Sequence, residues 1–341
     1  MTRVAAIDCG TNTIRLLIAE ADRDQMGRPR LEVLRRRNEI VRLGQGVDRT
    51  GVLDPEALER TLTVVAAYAA DCAELGVAPG EAARRFVATS ATRDARNRED
   101  FVAGVRRLLG IAPEVVSGQE EARLSFSGSL LGAREGAGGG AQGERAQAPR
   151  LIVDLGGGST ELVLGVDAPS AAISLDTGSV RITERFLTGG VTAEAEAAAR
   201  AEVRGLLDGA ERVVDLSAPG QLVGLAGTIT TVTAHALGLQ AFDPQALGGA
   251  ELSPQVVLAS CEAIVHSTAE QRASWGYLAP GRRDVIAAGA LVWSEVVSRV
   301  VERTTAAGRP LERVITSLYD ILDGIALSLV PTQRPAEGAG A

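Results

Sequence analysis

Lysine is missing from all 341 residues, and every one of the 35 cationic side chains is arginine. That absence excludes a phosphate loop of the GxxxxGK type, a Schiff-base nucleophile and a pyridoxal phosphate enzyme, each of which needs the ε-amine. Histidine occurs twice, as His235 and His266, and cysteine three times, as Cys9, Cys72 and Cys261, with no CxxC spacing. A zinc site, a histidine-rich transition-metal site and a disulfide framework are therefore not indicated, and a reducing compartment fits. Aromatic residues are 3% of the chain, which disfavours an aromatic-walled nucleoside pocket. No apolar run approaches the ~20 residues that cross a bilayer. The first strand reaches Asp8 too soon for a secretory apolar core, so a cytoplasmic protein without membrane contact is expected. The formal charge of −8 argues against non-specific nucleic-acid binding, which needs a basic surface. Chemistry falls to carboxylates, hydroxyls, arginines and backbone amides.

What the chain does have is ordinary globular composition, 45% apolar and 23% charged, in a length sufficient for two domains. Its organising stretch is LIVDLGGGSTELVLG, Leu151–Gly165. A strand ends in Asp154, three glycines follow, and Ser159, Thr160 and Glu161 lead into a second strand. Glycine serves where backbone takes positive φ or approaches something closely, and successive exposed N–H groups form an anion nest. An acid beside such a cradle requires a hard cation, Mg²⁺ or Mn²⁺, between carboxylate and phosphate. The same order, strand, Asp8, Gly10, Thr11, Asn12, strand, opens the chain in VAAIDCGTNTIRLLIA. Two copies half a chain apart predict two lobes facing one phosphate.

Strands alternate with helices between and after these hairpins, which predicts an α/β fold. Asp54-Pro55 is read as the cap and first position of a helix. Thr89–Arg93 reads as a polar turn, and the segment from Glu120 as a helix opened by two acids. The Gly-rich stretch 133–149 is expected to be a flexible surface insert dividing an N-terminal domain, 1–132, from a second, 150–317. A final helix falls within 318–330, followed by a disordered tail, 331–341.

The segments VAAIDCGTNTIRLLIA, FVATSATRDARN (86–97), VVSGQEEARLSF (115–126), VDLGGGSTELVLG (153–165) and GLAGTITTVTA (224–234) resemble, in order, the motifs of the exopolyphosphatase/guanosine pentaphosphate phosphatase family. That resemblance implies two ribonuclease H-like, actin-like ATPase domains with a cleft between them, the last helix returning to the first domain, and a homodimer. It implies a Mg²⁺-dependent exopolyphosphatase releasing terminal phosphate from polyphosphate. The alternatives are a guanosine pentaphosphate phosphohydrolase, a small-molecule kinase or a nucleotide sensor of the same superfamily. No His-Asp extension follows the second domain, which implies a short member of the family. Cys9 stands where relatives often carry an aliphatic residue, and Thr11 where many carry Ser.

Phosphoryl transfer to water needs cradles, a cation, an arginine and a base. The cradles are expected at Gly10, Thr11 and Asn12, and at Gly156, Gly157, Gly158 and Ser159. The cation is assigned to Asp8 and Asp154 with Glu161 as a third ligand, the alternative for Glu161 being a solvated strand acid. Glu120 and Glu121 both open a helix where a carboxylate can polarise water, and the resemblance selects Glu121. It also matches Arg93 to a phosphate-binding position. Gly227 and Thr228 resemble the superfamily segment that approaches a distal phosphate. Arg282 and Arg283 are read as solvated or guiding the entrance.

Overall fold

The structure is a computed structural model that describes residues 2–24, 27–135 and 148–330. Most of the expected insert and the tail from 331 lie outside the described residues. The chain begins with a meander of β1 (Thr2–Cys9), β2 (Thr13–Arg23) and β3 (Pro29–Ile40). It continues through α1 (Val47–Thr50), α2 (Pro55–Glu74), β4 (Arg84–Ala88), α3 (Ser90–Asp94), α4 (Arg98–Leu109), β5 (Glu114–Val115) and α5 (Gly118–Glu135). A second meander follows: β6 (Arg150–Leu155), β7 (Thr160–Gly165) and β8 (Pro169–Leu175). Next come α6 (Ser179–Ile182), which runs into a π-helical turn Thr183–Leu187, α7 (Ala193–Ala210), β9 (Gln221–Leu225) and α8 (Ala226–Ala236). The remainder is α9 (Pro244–Leu247), β10 (Glu251–Leu252), α10 (Pro254–Val265), α11 (Ala269–Ser274), α12 (Ile286–Ala306), β11 (Val314–Thr316) and α13 (Ile321–Ser328), with a 3₁₀ turn Pro280–Arg282 before α12.

These strands form two sheets of the same design, ordered β3-β2-β1-β4-β5 and β10-β11-β9-β6-β7-β8. In each, the first strand of the meander is antiparallel to the second and parallel to the strand after a crossover, β1 with β4 and β6 with β9. β1 and β6 are buried on both faces, which is why they read as continuous apolar runs. The α2 helix starts where Asp54-Pro55 requires, Asp54 accepting from the N–H groups of Glu56 and Ala57.

Two helices exchange lobes. Ala122 and Phe126 of α5, which follows the first sheet in the chain, pack on Ile152, Val163 and Val223 of the second. Ile321, Leu322 and Ile325 of α13 return to Ala6, Leu17 and Val87 of the first. Full burial of each Val, Leu, Ile or Phe among them contributes about 1.5–3 kcal/mol. The chain boundary expected at 132 thus differs from the packing boundary, because α5 covers the second sheet. The two helices cross at glycine: a Cβ at Gly128 falls 1.8 Å from the carbonyl oxygen of Asp320, and one at Gly324 falls 2.0 Å from that of Leu124. Their backbones touch, so the lobes are joined at this crossing.

Candidate active site

The tips of the two hairpins meet. Thr11 Oγ1 lies 2.9 Å from Ser90 Oγ, and a Cβ on Gly158 would fall 2.5 Å from the first and 2.7 Å from the second. A Cβ on Gly157 would come 3.1 Å from Thr11 Cβ. None of Gly10, Gly156, Gly157 or Gly158 has positive φ; Gly157 and Gly158 are required by close approach to the other lobe, not by a left-handed turn, whereas a Cβ on Gly156 would meet only Ser159 of its own turn and one on Gly10 would meet nothing closer than 3.6 Å. Among non-glycine residues described, positive φ occurs at Arg42 and Ala226, and Ala226 is itself at the cleft.

Between the hairpins lies a cavity of about 100 Å³, room for several waters or a phosphoryl group. It is lined by Asp8, Gly10, Thr11, Asn12, Glu121, Asp154, Gly156, Gly157, Ser159, Glu161, Gly227 and Thr228. Asp8 and Asp154, from separate sheets, therefore face one space. Two expected residues do not line it: Gly158 is tucked against Thr11 and Ser90, and Arg93 stands behind Glu121. Arg93 donates through Nη1 to the carbonyl of Val116 at 3.0 Å and lies 3.4 Å from Glu121 Oε2. Its closest role in this geometry is to hold the Glu121 carboxylate.

Several lining residues were not foreseen. Thr89–Arg93, read as a turn, forms the cap and most of the short helix α3, whose first residue Ser90 reaches the cavity. Ser179 and Arg15 also line it. Arg282, read as solvated or guiding the entrance, is half-buried against the cleft, its guanidinium occupying the position a side chain on Gly227 would take: a Cβ there would be 1.2 Å from Nη1. Among the described residues no hydrogen bond or ion pair holds the Arg282 side chain, and Asp320 attracts its charge from farther away. Burial, with the nearby Arg15 charge, pushes its pKa down to about 10. An unpaired cation beside two anion cradles calls for an anionic ligand.

The duplicated hairpins differ at one register position. Asp8 pairs across the ladder with Arg15, which donates to its Oδ2 at 2.9 Å and 2.7 Å and also bonds Asp320, the cap of α13. Asp154 pairs across its ladder with Glu161. One acid thus faces a cation, while the other faces a second acid. Asp154 accepts from Ser125 Oγ at 2.5 Å and Glu161 from Ser174 Oγ at 2.7 Å. Burial, then the neighbouring carboxylates, raises Asp154 to about 6. Burial followed by the Asp154 charge raises Glu161, which is fully buried and so not the solvated acid considered above. Burial and Glu161 push Glu121 well up.

Buried carboxylates that repel one another fit a cation. Among the described residues, the cleft acids do not gather into a closed cage. Three ligand atoms come within 4.8 Å of one another at Glu196, Glu262 and His266, on the surface, where Arg200 Nη2 already pairs with both glutamates at 2.8 Å and 2.6 Å. The spaced cleft acids suit a hard divalent cation that keeps waters and takes substrate oxygens alongside few protein ligands.

A family model described as the Ppx/GppA phosphatase family matches residues 17–307. The chain is 44% identical over 337 residues to exopolyphosphatase 2 of Mycobacterium tuberculosis, with 96% of this chain and 99% of that protein covered. It is similar to the solved structure of an exopolyphosphatase-like protein, at 41% identity and a TM-score of 0.85 over 96% of this chain and 97% of that one. A Ppx/GppA family member from Aquifex aeolicus matches at 27% identity and a TM-score of 0.71, covering 96% of this chain and 97% of that one.

Proposed function

The chain belongs to the Ppx/GppA phosphatase family, and on that premise we propose that its cleft hydrolyses inorganic polyphosphate from the end, releasing the terminal phosphoryl group as orthophosphate. The observation that carries this reading is the meeting of two Asp–Gly–hydroxyl turns on one cavity that also holds Glu121 and Arg282. The turns present N–H and hydroxyl donors from opposite sides, so a terminal phosphoryl group between them is gripped by both lobes. Glu121, held by Arg93, accepts the proton of the attacking water, and its raised pKa makes it a stronger base once ionised. Arg282 takes charge on the phosphate oxygens.

Asp154 and Glu161 are the residues that would hold Mg²⁺ or Mn²⁺. Asp8, already engaged by Arg15 through one oxygen, is a secondary candidate. Bound there, the cation neutralises phosphate oxygens that the acids would otherwise repel. Phosphate release from polyphosphate, guanosine pentaphosphate and ATP, each with Mg²⁺ or chelator, tests the proposal. Release from polyphosphate that chelator abolishes is expected; turnover of ATP onto an acceptor, or no release from any substrate, overturns it. A homodimer and a cytoplasmic location rest on the resemblance and are part of the same proposal, with light scattering as the check on the first. Among the described residues no helix is long and apolar enough to cross a membrane.

Two further outcomes are expected. Arg282→Gln removes a charge-assisted contact worth about 1.5–3 kcal/mol, so kcat/KM for polyphosphate is expected to fall roughly 10- to 100-fold without a lower melting temperature. An unchanged kcat/KM counts against the anion role. In chelator, stability should depend on pH through Asp154. Its folded pKa, about 6, lies above the ordinary carboxylate value, so the folded state retains a proton that the unfolded chain has lost. Stability therefore declines as pH rises from about 4 to about 6. Melting curves across that range should show the decline, and saturating Mg²⁺ should flatten it.

A further inference from the structure

One segment of the second lobe touches the first lobe away from the catalytic groups, and no step of the chemistry above uses it. Arg181, on α6, is nearly buried. Its Nε donates to the carbonyl of Gly158 at 2.7 Å. Its Nη2 meets Asp94 on α3 at 2.7 Å, and its Nη1 bonds Asp48 on α1. Behind the side chain, the N–H groups of Val180 and Arg181 both donate to the carbonyl of Gly157, at 2.9 Å and 3.1 Å. One residue therefore grips the glycine loop by backbone and side chain while it holds two acids of the opposite lobe. The π-helical turn that follows brings more of the same face across. Glu184 accepts from the N–H of Gly46 at 2.9 Å, and Arg185 donates to Asp48 at 2.7 Å and 2.8 Å. Single π turns recur at functional positions, since the wide turn changes which side chains share a face.

What Arg181 joins is specific. Asp94 ends the helix that Ser90 begins and on which Arg93 is borne, so its position sets Ser90 against Thr11 and Arg93 against Glu121. Gly158 belongs to the cradle of the other lobe and leaves no room for a methyl group against Thr11 and Ser90. The guanidinium spans these two parts, so the distance between the cradles depends on the ion pairs to Asp94 and Asp48.

We propose that Arg181 is a positioning residue that couples closure of the lobes to alignment of the Gly156–Gly158 cradle, so that the cradles address one phosphoryl group only while Asp48 and Asp94 hold the guanidinium. This rests on the hydrolase reading of the site. The full-length chain is assayed with Mg²⁺ and tripolyphosphate as wild type, Arg181→Ala, Arg181→Lys and Asp94→Asn. Misplacement of a reacting group by about 1 Å costs about 100-fold. Arg181→Ala is therefore expected to lower kcat by about that factor with KM changed less than about threefold. Arg181→Lys, able to reach one of the three partners, should fall between Ala and wild type. Asp94→Asn, which leaves the Gly158 contact in place, should lower kcat about tenfold with an unchanged melting temperature. Added salt should slow wild type more than Asp94→Asn, which keeps only the pair to Asp48, and the loss in kcat with KM nearly unchanged is a split that a merely structural residue does not produce.

If Arg181→Ala does not fold, Asp94→Asn decides alone. A folded Asp94→Asn with kcat within twofold of wild type overturns the proposal. Small-angle scattering with inorganic phosphate separates this inference from the reading it rests on. A wild type that contracts on phosphate while Arg181→Ala stays open supports the clasp even if no polyphosphate is hydrolysed, and equal contraction of both overturns it.

Discussion

Glu121→Gln is expected to lower kcat for phosphate release by about 10²- to 10⁴-fold, the range that a positioned general base supplies, with KM changed only a few-fold. The amide keeps the shape of the carboxyl and its contact with Arg93, but it has no basic oxygen to take a proton from water. Glu121 is buried on the first turn of α5 and lines the cavity, and its contact with Arg93, at 3.4 Å, is longer than those of the other acids there, at 2.5–2.7 Å. Asp8 is held by Arg15, Asp154 by Ser125 and Glu161 by Ser174. The substitution also removes one member of a repelling cluster, so the folded protein should be no less stable than wild type. Initial rates of orthophosphate release with a melting curve on the same preparation check both parts. Unchanged turnover in a folded Glu121→Gln protein removes Glu121 from the base role.

Gly128→Ala and Gly324→Ala should each destabilise the protein more than any substitution inside the cleft. At both positions the added Cβ meets backbone carbonyl, at 1.8 Å and 2.0 Å, which no rotamer change relieves. The α5 and α13 backbones must separate, at an overpacking cost of about 1–3 kcal/mol or more. At about 2–4 °C per kcal/mol for proteins of some 150–250 residues, a fall of roughly 5–10 °C in Tm is expected. Activity should fall as well, since α5 carries Glu121 and the cap of α13 holds Arg15. A Tm within 1–2 °C of wild type would show that the crossing has slack.

The parts of this site that could be read from the chain are those encoded within a few residues. Both hairpins, with Asp8 and Asp154 at their mouths, declare themselves because a buried strand, an acid, a glycine and a hydroxyl are consecutive. The acid opposite Asp154 is subtler. Glu161 alternates on a strand as a solvated acid would, and only sheet packing by α5 and β8 buries it. A signal for Arg15 was present, since the turn 10–13 fixes a register in which Asp8 faces Arg15 just as Asp154 faces Glu161. Arg282 had none. It sits on a 3₁₀ turn between α11 and α12, one arginine among 35, and its place over Gly227 arises from tertiary packing. α3 escaped notice because five residues show no helical period, and its small polar side chains read equally well as a turn. The exchange of α5 and α13 between lobes is a matter of topology, which local periodicity does not record.

In the proposed reaction water attacks the terminal phosphorus while both lobes hold that group. Hydrolysis of tripolyphosphate in ¹⁸O-enriched water with Mg²⁺ tests this directly. The expected result is one ¹⁸O atom in the released orthophosphate and none in the pyrophosphate. Label in the pyrophosphate, or phosphate release without incorporation, would contradict it.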